Sequence, residues 1–233
     1  MQLKKKITES YQHTINISKA GLVAIFVSAR CKSKEQIESR IDEDLRIEIN
    51  NSRFREMPPE KNIQLFDIQS AFNGSKLRGL KKTVIFLTVL NKGENIISLI
   101  PRNNAFIEEI EVRELAGKQE LEIEIEDKAE DGNRRPWVTL VLIDLPLKYL
   151  IADITAKWRF RDSDDVQLVI DNKIQKNQFS FLHRNWLWSG SIFKKLLQKE
   201  TQNKTIKTDL FVDYNMVRVE RLKDPLLKMS LIP

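Results

Sequence analysis

The chain has 233 residues, 41% hydrophobic and 31% charged, a balance that builds ordinary cores and excludes a disordered polymer. Its 39 Lys and Arg against 33 Asp and Glu leave a formal charge of +6, but the signs are interspersed in both halves and no basic stripe forms, so nucleic acid is not an expected partner. A single cysteine, Cys31, excludes an internal disulfide.

In chain order, Met1 to Lys6 runs into Glu9, Gln12 and His13 with no apolar segment, so the given chain shows no signal peptide. Compartment is left open by this, and a removed leader would place the protein outside the cell or on its surface. Ser33 to Ile41 sets Ile37 and Ile41 one turn apart, which allows a short helix. Leu45, Ile47 and Ile49 then alternate with Arg46 and Glu48, the pattern of a strand with one buried face. Thr83 to Leu90 and Ile96 to Ile100 flank a turn carrying Gly93, which predicts a hairpin. Ile107 to Leu115 alternates again and closes the first unit, with Ala116 to Lys118 as linker. Beyond it come a strand through Leu121, Ile123 and Ile125, a polar loop from Asp127 to Pro136, a strand from Trp137 to Ile143, and a short helix from Ser191 to Leu197. The longest apolar stretches, such as Val84 to Leu90, fall far short of the ~20 residues a membrane-spanning helix needs, so no membrane insertion is expected.

Four landmarks recur in the same order. Ile15, Ile17, Leu22, Val23 and Ala24 match Ile143, Leu145, Leu150, Ile151 and Ala152. The acidic cluster and strand from Asp42 to Asn51 match Ser163 to Asn172, Phe72 to Ser75 match Trp188 to Ser191, and Ile110, Val112 and Leu115 match Val217, Val219 and Leu222. The spacing between partners shrinks steadily along the chain, as it would if a second copy had lost loop residues and kept its strands. The expected architecture is all-β, two tandem antiparallel sandwich domains, residues 1–116 and 117–233.

Catalytic chemistry is poorly supplied. Only His13 and His183 are present, neither in a motif, and no phosphate loop, dinucleotide fingerprint or nucleophile elbow occurs. One Cys and two distant His do not make a zinc set. The clusters Asp42 to Asp44 and Asp162 to Asp165 carry hard oxygens of the kind calcium takes, but without the spacing of a calcium loop, so solvated turns are the favoured reading and structural calcium the cofactor alternative. No enzyme is expected.

The aromatic residues are the most suggestive. Trp186 and Trp188 stand two apart, so an extended segment would project both rings to one side, with Phe72 at the matching place in the first copy. A flat exposed ring beside polar donors is a stacking surface for the apolar face of a sugar; large aromatics are also commonly core.

The run Leu90, Asn91, Lys92, Gly93, Glu94, Asn95, followed by Ile96 to Leu99, resembles the penultimate hairpin of galactose-binding-like β-sandwich modules. The acidic cluster and the strand ending in Asn50 and Asn51, or in Asp171 and Asn172, resemble an earlier strand of those modules. That resemblance implies a jelly-roll fold and a noncatalytic carbohydrate-binding function, with a glycan or cell-wall polymer as ligand and a fused catalytic domain or protein partner alongside. The ligand-binding residues it points to are Trp186, Trp188, Phe72 and Asn73, supported by Arg184 and Asn185. The competing expectation is a protein-interaction or structural sandwich with no glycan affinity.

Overall fold

The computed structural model describes residues 2–53, 66–115, 121–128, 130, 135–143, 147–160, 163–170, 173–178, 184–210, 214–221 and 226–232. The chain is mostly β. In order, its elements are β1 (Gln2–Ile7), β2 (Tyr11–Ile17), β3 (Gly21–Arg30), β4 (Asp44–Ile49), β5 (Ser52–Arg53), β6 (Phe72–Asn73), α1 (Gly74–Leu77), β7 (Lys81–Leu90), β8 (Gly93–Arg102) and β9 (Ala105–Glu114). There follow β10 (Leu121–Lys128), β11 (Arg135–Ile143), β12 (Leu147–Thr155), β13 (Asp165–Ile170), β14 (Lys173–Ile174), β15 (Trp188–Ser189), α2 (Ile192–Leu196), β16 (Thr201–Leu210), β17 (Tyr214–Arg221) and β18 (Leu226–Ile232). Two compact units result: Met1–Gly117 with Val138–Asp144 and Asp213–Met216, and Lys118–Trp137 with Leu145–Val212 and Val217–Pro233.

In the first unit one sheet runs β1-β9-β3-β7-β11 and the other β2-β8-β4-β5, with β6 also on β4. Both sheets supply one core, in which Ile25, Val27 and Phe86 from the first sheet pack with Ile47, Ile97 and Leu99 from the second. An apolar sheet face is stable in water only when another layer covers it, and here each sheet covers the other.

Chain order and sheet order disagree in an informative way. Strands β1, β3, β7 and β9 lie in one sheet and β2, β4 and β8 in the other, so these connections cross the sandwich. The expected hairpin at Gly93 is therefore corrected: β7 pairs with β3 and β11, whereas β8 pairs with β2 and β4. Gly93 does adopt a positive φ of 101°, and Asn95 Nδ2 closes the turn by donating to the carbonyls of Asn91 at 3.0 Å and Gly93 at 3.1 Å. The turn leads over to the opposite sheet rather than back alongside. Ser33 to Ile41 is likewise a run of turns, not a helix, held by Gln36 N–H to Ser33 O at 2.9 Å and Ser39 N–H to Lys34 O at 3.0 Å.

A second correction concerns the expected purely antiparallel pairing. Strand β11 joins β7 in parallel, Val138 opposite Thr83 through Leu142 opposite Leu87, so the first unit takes in a strand from well beyond residue 116. Parallel neighbours need a long connection, which the intervening chain provides. Strands β3, β7 and β11 are buried on both faces, Ala24 and Ile85 as fully as Val23 and Val84. Their sequences are accordingly continuous apolar runs rather than alternating ones.

In the second unit one sheet runs β10-β18-β12-β16, and β13 pairs with β14, β15 and β17. Strand β12 alternates cleanly, with Leu150, Ala152 and Ile154 buried and Ile151, Asp153 and Thr155 between them part-exposed. Helix α2 forms where the sequence placed it, capped by Ser191, whose side chain accepts from Lys194 N–H.

Each unit also holds a glycine against backbone. A Cβ on Gly74 would stand 2.2 Å from both Glu43 O and Lys32 O, and one on Gly190 would stand 2.3 Å from Lys157 O. No rotamer change relieves a clash with main chain. Gly74→Ala and Gly190→Ala are each expected to lower unfolding stability by about 3 kcal/mol, whereas Gly21→Ala, whose new methyl would meet nothing nearer than 4.0 Å, should change it by less than about 1 kcal/mol. Chemical denaturation of the three variants checks the contrast.

Candidate functional site

The acidic clusters are the first candidates, and in four of their carboxylates one oxygen is taken up by backbone, while Asp162 lies outside the described residues. Asp42 Oδ1 accepts from Lys34 N–H at 2.7 Å, Glu43 Oε2 from Lys32 N–H at 2.9 Å, and Asp44 Oδ1 from Gly74 N–H at 2.9 Å. Asp164 Oδ2 accepts from Lys157 N–H at 2.9 Å. These carboxylates fasten loops. Among the described residues no group of three or more His, Cys, Asp or Glu side chains is placed to hold a metal ion.

Asp44 is fully buried and pairs through Oδ2 with Arg102. Burial raises its pKa, and this outweighs the opposing Gly74 hydrogen bond and Arg102 charge. The same burial, with Asp44 and Glu43 adding to it, holds the Cys31 thiol well above its ordinary value, which makes it unreactive. A carboxyl whose folded pKa is raised contributes stability below its unfolded value, and that contribution is lost as pH climbs through the folded value. Asp44→Asn keeps an acceptor for Gly74 and titrates in neither state. Its melting temperature relative to the parent should therefore move in the variant's favour between pH 3.5 and pH 7, as read by paired thermal melts; a difference that stays flat or moves the other way would contradict the assignment.

The aromatic stacking surface is corrected. Phe72 on β6 and Trp188 on β15 are both fully buried, because these short strands pair with β4 and β13 and turn their rings into the interior: Leu45 faces Phe72, and Val166 faces Trp188. Neither ring can meet a sugar. Asn73 is buried too, and serves as the N-cap of α1, accepting from Lys76 N–H at 3.1 Å and Ser75 Oγ at 2.6 Å while donating to Asp67 Oδ1 at 2.8 Å. Phe72 and Asn73 belong to the first unit and the remaining four to the second.

Arg184, Asn185 and Trp186 fare differently. Arg184 and Asn185 are exposed and Trp186 half-buried, and their backbone supports a neighbouring segment: Asn177 N–H donates to Arg184 O at 2.8 Å, and Asn177 Nδ2 to Trp186 O at 3.4 Å. Gln167 Nε2 holds Asn185 O at 3.1 Å from the β13 side. Leu187, next in the chain, lines a cleft of about 400 Å³ together with Gln175, Lys176, Asn177 and Gln178 and with Lys204, Thr205 and Ile206 of β16. It lies wholly in the second unit.

Along β16, Gln202, Lys204 and Ile206 are half-buried and alternate with exposed Thr201, Asn203 and Thr205, so period two aims Lys204 inward. Burial lowers the pKa of Lys204, and burial followed by the charge of Lys204 lowers that of Lys194. Lys194 is already engaged, donating to Ser189 O at 3.1 Å and to Gln202 Oε1. Among the described residues that line it, the cleft offers three amides, two lysines and no carboxylate around Leu187 and Ile206. None of the six residues expected from sequence to bind a ligand is among those that line this cleft. The run Gln175 to Gln178 was the available signal; its partner on β16 lies some thirty residues on and is brought in by folding.

No family model matches the chain, and no curated protein matches it. Among solved structures, dimeric latent PorU from Porphyromonas gingivalis is similar at a TM-score of 0.32 and 9% identity, over 98% of this chain and 18% of that one. The chain therefore spans less than a fifth of that protein's length, and a likeness of this size bears on neither fold nor function. Among the described residues no helix is long and apolar enough to cross a membrane.

Proposed function

We propose that this chain is a noncatalytic carbohydrate-binding module made of two jelly-roll copies, and that its ligand is an acidic glycan held in the cleft of the second unit. The duplication rests on pairing order. The series β1-β9-β3-β7 is answered by β10-β18-β12-β16, and β8-β4-β5 with β6 on β4 by β17-β13-β14 with β15 on β13. Register supports it to the residue: Asp44 faces Asn73 where Asp165 faces Ser189, at the spacings read from the sequence. One landmark is realigned, because β18 rather than β17 takes the place of β9, and β17 that of β8. The alternation of 107–115 matched the wrong one of two adjacent strands.

The observation that carries the ligand reading is the lining of the cleft. Amide side chains present a donor and an acceptor together, which suits the paired hydroxyls of a sugar, and Leu187 with Ile206 provides an apolar floor. Lys204, half-buried with its pKa lowered, is a cation that gains from a carboxylate or sulfate counter-charge. Titration with uronic-acid oligosaccharides, followed by heteronuclear NMR, should shift the resonances of 175–178 and 204–206. Lys204→Met should weaken binding about tenfold, the worth of one charge-assisted hydrogen bond. Affinity in the parent should fall with rising pH before the ordinary lysine value of 10.5 is reached, since the cation is lost as pH rises through the lowered pKa. Equal binding of neutral oligosaccharides, or binding untouched by Lys204→Met, would remove the acidic-glycan reading; absence of any glycan shift would remove the carbohydrate reading altogether.

A protein ligand is the second reading, and one observation favours it. Strand β16 ends its sheet among the described residues, and an end strand can accept an added strand. Peptide-induced shifts along β16, without glycan-induced ones, would select it.

A further inference from the structure

We propose that one end of the second unit docks on an anionic lipid surface through α2 and the turn at 157–160. The two segments are neighbours by backbone: Gly190, just before α2, is packed against the carbonyl of Lys157, and Lys195 Nζ on α2 lies 5.3 Å from the centre of the Trp158 ring. The turn is closed by Ser163 Oγ, which bonds Arg159 O at 3.2 Å and stands 3.3 Å from Arg159 N–H, leaving Phe160 beyond that closure.

Five large apolar side chains are exposed there. Phe160 is 85% exposed, Phe193 74%, Leu196 73%, Leu197 65% and Ile192 45%. Phe193 and Leu197 are one helical turn apart, with Leu196 beside them, and α2 buries none of its residues, whereas α1 buries Leu77. A soluble surface seldom groups such residues without a use for them. The exposed charged side chains of described residues 157–160 and 191–199 are all cations: Lys157, Arg159, Lys195 and Lys199. Arg161 and Asp162, outside the described residues, add one charge of each sign.

Cations ringing apolar tips fit the boundary between anionic headgroups and acyl chains, where lysines meet phosphate and the tips enter hydrocarbon. A lipid surface is favoured over a protein partner by the degree of projection. Side chains this exposed would need a partner with matching pockets, whereas acyl chains close around any shape. The docking is interfacial and involves no spanning helix.

The test is co-sedimentation of the full chain with vesicles of phosphatidylcholine alone and of phosphatidylcholine with phosphatidylglycerol. Binding is expected to the anionic vesicles, weaker at high salt, and to drop about tenfold or more in Phe160→Ser/Phe193→Ser/Leu196→Ser. Because those side chains are exposed, the variant should keep the parent's melting temperature. Lys157→Glu/Lys195→Glu/Lys199→Glu should abolish the preference for anionic vesicles. Absence of vesicle binding, or binding that neither variant reduces, would overturn the proposal. Concentration-dependent self-association lost in the apolar variant, with no vesicle binding, would overturn it in favour of an interface between copies.

Discussion

The first unit depends on one constraint: strands adjacent in the chain are seldom adjacent in a sheet. Since β7 hands over to β8 on the opposite side of the core, a turn there gains little until both sheets have formed and met. Stability resides in contacts between residues far apart in sequence, such as Ile25 with Ile97 within one core. Loop-closure entropy is lost before such contacts return anything, so the unit belongs to the slow-folding, nonlocal class of β folds. It also explains why polar groups are found pinning loops. A segment that crosses between layers needs its own fastening, and Glu43, Asp44 and Asn73 provide it by binding backbone N–H groups.

What could be read from sequence follows from this. The strands were legible because burial of one face writes a period of two into Leu45, Ile47 and Ile49, and Leu150, Ala152 and Ile154 carry it again. The motifs around Phe72 to Gly74 and Trp188 to Gly190 were legible for a stricter reason. At Gly74 and Gly190 the main chain approaches too closely for any Cβ, and the side chains at Phe72 and Trp188 fill closed space. Partners were not legible. Gly93 supplies a positive φ whether the chain returns beside itself or crosses over, and alternation says which face is apolar without saying which strand lies alongside. The parallel joining of β11 to β7 left a trace, since Val138 to Leu142 is a continuous apolar run broken only by Thr139. That trace marks burial on two faces, not the neighbour that causes it.

The same distinction accounts for the aromatic residues. Trp188 and Phe72 drew attention because large flat rings serve two ends, packing and stacking, and residue identity alone does not separate them. Burial separates them. A ring between sheets contributes through excluded water, and replacing either by Ala would remove about 3–5 kcal/mol of stability and leave any ligand site to be judged elsewhere.

On the proposed duplication, the two copies have diverged along the strand that follows their helix. In the first, β7 is apolar on both faces and holds β11 in parallel along its edge. In the second, β16 carries Lys204 among polar neighbours and borders an open cleft. An edge that is covered tolerates apolar residues on both faces, while an edge left to solvent needs lysine and threonine to discourage stray pairing. The polar character that protects β16 is thus also what furnishes its cleft with donors. On the proposed function, and with β16 ending its sheet among the described residues, loss of a covering strand and acquisition of a binding surface would be one change in sequence.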